Sequence, residues 1–208
     1  MSPRTRKNGT PRGERSKETI LEAALPLFAR QGYRGASLAS IASAAGLTQP
    51  GLLHHFPSKE ELLLGLLDWR DRDDGRRLSG LRDGDGLGYL ERLEDLVAHN
   101  ATAPELVALF TTLVGEGTSP EHPAHDYFVE RYRRIRARAL RTLREGQLAG
   151  EIREDVDLET IVPLLFAVMD GLQIQWLLDP DIDMVASFDA FANLVRDQLA
   201  VQAAAGTS

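Results

Sequence analysis

Residues 37–62 read SLASIASAAGLTQPGLLHHFPSKEEL, and the order of caps, small residues and glycine in this stretch decides the fold. Ser37 is a good N-cap for a helix over Leu38–Ala45, whose inner face of Ile41, Ala42 and Ala45 is small enough for a neighbouring helix to cross closely. Gly46 permits the positive backbone dihedral of a sharp turn, after which Leu47 is expected to point back into the core. Thr48 caps a second short helix, where Pro50 is tolerated because first-turn positions have no intrahelical acceptor for an amide. Phe56 and Pro57 close that helix. Ser58-Lys59-Glu60-Glu61 then forms a capping box, Ser58 at N-cap and Glu61 at N3, opening a helix that reaches about Asp74.

Two short helices about a tight turn form a helix-turn-helix, in which the first braces the backbone and the second offers its N-terminal residues to the major groove of duplex DNA. Ser37 and Thr48 are candidate phosphate donors, aided by the positive ends of both helices. Gln49 is a candidate reader of a base edge, adenine being its usual bidentate partner. Pro50 and Gly51 allow close approach or contact with a thymine methyl. His54 and His55 lie at the far end, and Lys59 reaches a phosphate from the next helix.

Upstream, Ser16 is expected to cap a helix running to about Gln31, with Ile20, Ala24, Leu27 and Phe28 on one face and Gly32 as a left-handed C-terminal cap. Pro26 removes the hydrogen bond to the Glu22 carbonyl and predicts a kink. Residues 1–14 are rich in Pro, Gly, Arg and Thr without periodicity and read as a disordered basic arm. Residues 1–60 carry a net +5 and residues 61–208 a net −12, within a chain of net −7. A basic module on an acidic body is expected when only one end meets a polyanion. The absence of cysteine excludes disulfides and thiolate metal sites and suits a cytoplasmic protein. No uninterrupted run of about 18 apolar residues is present, so no membrane contact is expected.

Downstream, residues 75–88 read as a Gly- and Asp-rich loop, followed by helices over about 89–100, 104–115, 124–147, 157–178 and 183–203. The chain is therefore all-α. Phe110, Thr111, Val114, Phe166, Met169, Asp170, Gln173 and Trp176 mix aromatic bulk with a few polar groups, the composition of a small-molecule cavity. Trp69, late in the fourth helix, is placed to couple such a cavity to the DNA-binding helices. His122, His125 and Asp126 in EHPAHD, with His99, have metal-ligand spacing but read better as a polar loop-to-helix junction. The arginines of RYRRIRARALRTLR spread around their helix, with Glu130 placed to pair with Arg134, and read as a solvated surface. No nucleophile–base pair, phosphate loop or HExxH motif appears; neither an enzyme, a cofactor nor a metal is expected.

The segments ILEAALPLFARQGYRGASL and IASAAGLTQPGLLHHFPSKEELL resemble the DNA-binding domain of tetracycline-repressor (TetR) family regulators over residues 16–64. The resemblance implies that Ser37, Thr48, Gln49, His54, His55 and Lys59 contact DNA, and that Ile41, Ala45, Gly46, Leu47, Leu52 and Phe56 are scaffold. Leu53 stands where the family usually has a phosphate-contacting Tyr, and Pro50-Gly51 replaces the commoner Gly-Thr pair, so the operator sequence does not transfer by analogy.

The resemblance also implies a four-helix dimer interface from the last two helices of each subunit. Its candidate residues are Ile161, Leu164, Leu165, Val168 and Leu172 on one helix, and Met184, Phe188, Phe191 and Val195 on the next. The resulting organisation is a basic arm over 1–14, a helix-turn-helix domain over 15–62 and an effector-binding and dimerisation domain over 63–208. The function expected is a ligand-responsive repressor that binds a palindromic operator as a homodimer and is released by a partly apolar small molecule. The alternative is a DNA-binding protein without an effector, governed by concentration or by a protein partner.

Overall fold

The computed structural model describes residues 12–77 and 85–201. They form nine helices: α1 (Arg12–Gly35), α2 (Leu38–Ala44), α3 (Gln49–His55), α4 (Lys59–Arg77), α5 (Gly88–Ala101), α6 (Pro104–Glu116), α7 (His125–Leu148), α8 (Leu158–Leu178) and α9 (Met184–Leu199). The only pairing of strand type among the described residues is an isolated antiparallel bridge between Ile152 and Ala200, which ends α9 short of the expected residue 203.

Local chemistry explains most boundaries. Ser37 Oγ accepts the Ser40 amide at 3.0 Å, Thr48 Oγ1 accepts the Gly51 amide at 3.2 Å, and Ser58 Oγ accepts the Glu61 amide at 3.0 Å. Each bond satisfies an orphan donor of a helix first turn. Gly46 has φ +68°, so the turn between α2 and α3 is built on the residue type that tolerates it. Asp157 and Asp183 cap α8 and α9 in the same way.

Several expectations change. α1 begins at Arg12, within the stretch expected to be an arm, and Ser16 lies inside the helix; the rest of the expected arm, residues 1–11, falls outside the described residues. The helix runs through Pro26, and its non-helical residue is Gly32, at φ 65° and ψ −176°. The expected positive φ is there, with an extended ψ instead of a left-handed helical one. Leu47 does not return to the core: it is 36% exposed at the edge of the turn. The expected loop over 75–88 contracts at both ends, since α4 continues to Arg77 and α5 starts at Gly88, while residues 78–84 lie outside the described residues.

Two apolar cores hold the helices together. The first joins Ile20, Phe28, Ile41, Leu52, Leu62 and Leu66 to Leu109, Phe110, Leu113 and Phe128. α2 and α3 pack on α1, and α1 in turn packs along α6, so one continuous core runs from the helix-turn-helix into the body. The second core joins α5 (Leu90, Leu93, Val97), α7 (Ala139, Leu143), α8 (Val162, Leu165, Phe166) and α9 (Phe188, Leu199). Arg196 of α9 donates to Glu94 of α5 at 3.0 Å along its edge. α8 holds an 18-residue window of mean hydropathy 1.6, long and apolar enough to cross a membrane by length and composition. The average passes where no uninterrupted run does, because Asp170, Gln173 and Gln175 interrupt the apolar residues. Only 28% of this window is buried in the chain.

Candidate DNA-binding surface and ligand cavity

The second helix of the pair, α3, is exposed along its leading end. Gln49, Pro50 and His54 are exposed, Gly51 and His55 are half-buried, and Leu52 alone goes fully into the core. Leu52 is the anchor that aims the helix outward. Leu53 is half-buried and brings no donor where the resemblance places a tyrosine. Ser37 and Thr48, both exposed at helix N-termini, spend their oxygens on the caps described above, and Ser37 Oγ also lies 2.7 Å from Ser40 Oγ. Their hydroxyls remain at the positions where two helix dipoles open toward solvent. The His54 and His55 rings meet edge to face at 5.6 Å.

Lys59 is less independent than expected. Its Nζ donates to the Arg34 carbonyl at 3.3 Å and sits 4.6 Å from the centre of the Tyr33 ring. Partial burial lowers its pKa and the Glu116 carboxylate pulls it back up. This lysine therefore ties the start of α4 to the end of α1 at the rim of the same surface.

That rim is held from beneath by α6. Glu116 Oε2 accepts the Tyr33 amide at 2.8 Å, and Thr112 Oγ1 donates to the Ala29 carbonyl at 3.2 Å. The carboxylate fills the space beside Gly32, where an added Cβ would lie 2.1 Å from Glu116 Oε1. His122 stacks edge-on against Tyr33 at 5.4 Å, with its Nε2 3.4 Å from Glu116 Oε2. His125 Nδ1 lies 2.9 Å from the Gly117 carbonyl. The EHPAHD segment thus joins α6 to the end of α1, and no group of His, Asp and Glu able to hold a metal occurs among the described residues.

The opposite side of the last turns of α6 faces a cavity of about 130 Å³ lined by Phe110, Thr111, Val114, Gly115, Tyr132, Asp170, Gln173 and Ile174. Five of the expected residues meet there: Phe110, Thr111, Val114, Asp170 and Gln173. The others do not. Met169 is 7% exposed and packed in the second core, and Trp176 packs against that core from its edge. Phe166 borders a shallower depression on the other side of Tyr132 and Asp170. Trp69 lines a separate groove with Lys17, Leu21 and Phe56 between α1 and α4. Helical spacing put these aromatic residues near one another along the chain, but their faces turn to different neighbours.

Tyr132 and Arg131 were missed. Tyr132 donates its hydroxyl to Asp170 Oδ2 at 2.6 Å across the cavity wall. Burial raises the pKa of both groups, the bond raising that of the phenol further and pulling the carboxyl back down. Arg131 is 8% exposed, donates from Nε to Asp71 Oδ1 at 2.7 Å, and lays its guanidinium 4.4 Å from the Phe110 ring centre; Arg70 does the same at 4.3 Å. Arg134 also bonds Asp71, at 2.8 Å, and Glu130 pairs with Arg133, correcting the expected Glu130–Arg134 pair. The signal was available: Phe128, Arg131, Tyr132, Ile135 and Ala139 recur at three- and four-residue spacing, so Arg131 and Tyr132 belong to the inner stripe of α7.

On the outer faces of α8 and α9, Leu164, Ile174, Leu178 and Leu194 are 50, 46, 81 and 67% exposed. Ile161, Val168, Leu172, Phe191 and Val195 of the expected interface are half-buried. Leu165, Met184 and Phe188 are at most 2% exposed inside the chain's own core and have no surface to offer a second copy.

Comparison with known proteins agrees with this arrangement. Residues 20–66 match the family described as bacterial regulatory proteins, tetR family, and residues 90–204 match the BetI-type transcriptional repressor, C-terminal. The transcriptional regulator TtgR of Pseudomonas putida is 29% identical over 200 residues, covering 89% of this chain and 93% of the relative. The transcriptional repressor AcnR of Corynebacterium diphtheriae is 28% identical over 155 residues, covering 74% and 77%. A transcriptional regulator of Saccharomonospora viridis solved in complex with choline superposes with a TM-score of 0.67 at 27% identity, over 91% of this chain and all of that one. With a helix-turn-helix aimed outward, an all-helical body behind it and family matches across both halves, the chain belongs to the TetR family of bacterial transcriptional regulators and is not an enzyme.

Proposed function

We propose that this regulator is a cytoplasmic repressor that binds a palindromic operator as a homodimer and leaves it when a small molecule fills the cavity of α6, α7 and α8. The observation that carries the reading is the position of α6. One side of its last turns, Thr111, Val114 and Gly115, lines the cavity, and the other, Thr112 and Glu116, holds the end of α1 beneath Lys59. A ligand that displaces this stretch of α6 moves the rim of the DNA-binding surface without touching it. For release, the ligand must bind the displaced state more tightly than the operator-bound state.

Gln49 is assigned to a base edge, with Pro50, Gly51, His54 and His55 close to the groove, and Ser37, Thr48 and Lys59 to phosphates. Homodimerisation is supported by Leu164, Leu178 and Leu194, whose exposure on adjacent helices is costly for a lone chain. Two copies would present two α3 helices to half-sites about 34 Å apart, or a multiple of that spacing. A second reading, a regulator with no small-molecule effector, is favoured by one observation. The cavity of about 130 Å³ is small beside the roughly 300–1,000 Å³ of drug-sized sites.

Fluorescence anisotropy with DNA from the chain's own upstream region, at stepped salt, tests the DNA half of the proposal. Sequence-selective binding with a steep fall in affinity as salt rises is the expected result. Equal affinity for scrambled DNA would sink the operator reading. Titration of candidate compounds into the complex then separates the two readings, since release requires an effector.

A further inference from the structure

The cavity carries enough chemistry to name the class of its ligand. Gln173 is 2% exposed, lines the cavity, and has its Oε1 buried without a hydrogen-bond partner. A buried acceptor left unmade calls for a donor from a ligand. The aromatic walls, by contrast, are already engaged by cations: Arg70 and Arg131 lie over Phe110, and Arg131 lies 5.8 Å from the Tyr132 ring centre. A third cation would gain little from those rings and would meet two guanidiniums behind them. An anion fares no better, because the Asp170 carboxyl lines the cavity itself, while both guanidiniums lie behind the Phe110 ring with Asp71 2.7 Å from Arg131 and 4.0 Å from Arg70. The volume of about 130 Å³ is close to the roughly 150 Å³ of an engineered apolar cavity that holds benzene. One ring fits, with its edge toward the half-exposed Ile174.

Resting on the effector reading above, we propose that the cavity takes a neutral, single-ring phenol whose hydroxyl donates to Gln173 Oε1 and whose ring packs against Phe110, Val114 and Ile174.

Isothermal titration of the full chain with phenol, toluene, benzoate and choline tests this. Phenol and toluene are nearly the same size, so their difference reads the hydroxyl alone. Phenol is expected to bind about tenfold more tightly than toluene, with benzoate and choline weaker than either. Gln173→Leu is expected to erase the preference for phenol over toluene while retaining toluene binding, which also shows that the variant is folded. Tighter binding of choline or benzoate, an unchanged phenol preference in Gln173→Leu, or no binding of phenol would overturn the proposal. Operator release is measured separately: phenol that binds without releasing the operator leaves the ligand class standing and refutes the effector reading. A different compound that releases the operator while phenol does not bind refutes the ligand class and leaves the effector reading standing.

Discussion

Gly32→Ala should be among the most damaging single-methyl additions in this protein. The residue sits at φ 65° and ψ −176°, a region essentially reserved for glycine, and its would-be Cβ lies 2.1 Å from Glu116 Oε1 and 2.8 Å from Glu116 Cδ. Holding a non-glycine residue there costs on the order of 1–3 kcal/mol. The methyl also forces the Glu116 carboxylate away, breaking its bond from the Tyr33 amide; a hydrogen bond to a charged group contributes about 1.5–3 kcal/mol. Because the Glu116 side chain is 34% exposed, water screens it and the lower end applies. Together the two effects come to about 3–4 kcal/mol, a fall in Tm of roughly 10 °C for a chain of this length.

Urea and thermal unfolding of Gly32→Ala, Glu116→Ala and the double variant check the reasoning. Both single variants lose the same bond, so the double should be less destabilised than the sum by about 1.5 kcal/mol. A Gly32→Ala variant within about 1 kcal/mol of the parent, or strict additivity in the cycle, would refute the account of this joint.

Other predictions concern the remaining surfaces. Gln49→Ala should cost about 1–3 kcal/mol of operator affinity while leaving binding to scrambled DNA unchanged, which anisotropy reads directly. Thr48→Ala removes the α3 cap and should cost about 1 kcal/mol in urea unfolding as well as operator affinity. Leu194→Asp places a charge on the outer face of α9 and should convert a dimer to a monomer in analytical ultracentrifugation; an unchanged dimer would rule this face out. Burial, with other causes, lifts all four tyrosines above the ordinary phenol pKa near 10, Tyr89 to about 12. Their folded values exceed the unfolded ones, so the stability they contribute is full below about pH 10 and is lost as pH rises through the folded values. Spectrophotometric titration should therefore show the well-buried Tyr89, Tyr127 and Tyr132 forming phenolate only together with alkaline unfolding.

What was legible in the sequence was chemistry that acts over three or four residues. Ser37, Thr48 and Ser58 each cap an amide three positions on, so a single line of sequence contains both partners. Gly46 and the limits of α6 and α8 were visible for the same reason. What failed required knowing which side of a helix faces which neighbour. The period of α8 and α9 marks Leu164 and Leu165, or Phe188 and Leu194, as apolar without saying that Leu165 and Phe188 are interior and Leu164 and Leu194 exterior. Arg131 was read as solvated by its charge, yet Asp71 and the Phe110 ring, 60 and 21 positions back along the chain, make its burial tolerable. Glu116 carried no signal at all, because the space it fills exists only through the backbone of Gly32.

The Asp170 carboxyl shows how the interior and exterior of α8 are linked through one helix. Its pKa is raised by burial and drawn down by Tyr132, Arg131 and Arg70. With a folded value above the unfolded one, the stability it contributes is full below the ordinary aspartate range, near pH 4, and is lost as pH rises through the folded value. Asp170→Asn keeps an acceptor for the Tyr132 hydroxyl and removes that titration. Between about pH 4 and pH 7, therefore, the Tm of the variant should gain relative to that of the parent. Parallel curves for the two proteins would show that the carboxylate is not penalised by its surroundings. The same helix offers Leu164 and Leu178 outward, three to four turns apart along one side, while Asp170 and Gln173 turn toward α6 and α7. α8 is therefore apolar around most of its circumference, which explains its membrane-like hydropathy, and of the polar side chains in its second half Asp170 and Gln173 occupy the cavity wall while Gln175 is exposed. A substitution at Asp170 or Gln173 should change ligand and pH response with the oligomer intact, and one at Leu164 or Leu178 the reverse. An Asp170→Asn protein that loses its dimer would break that separation.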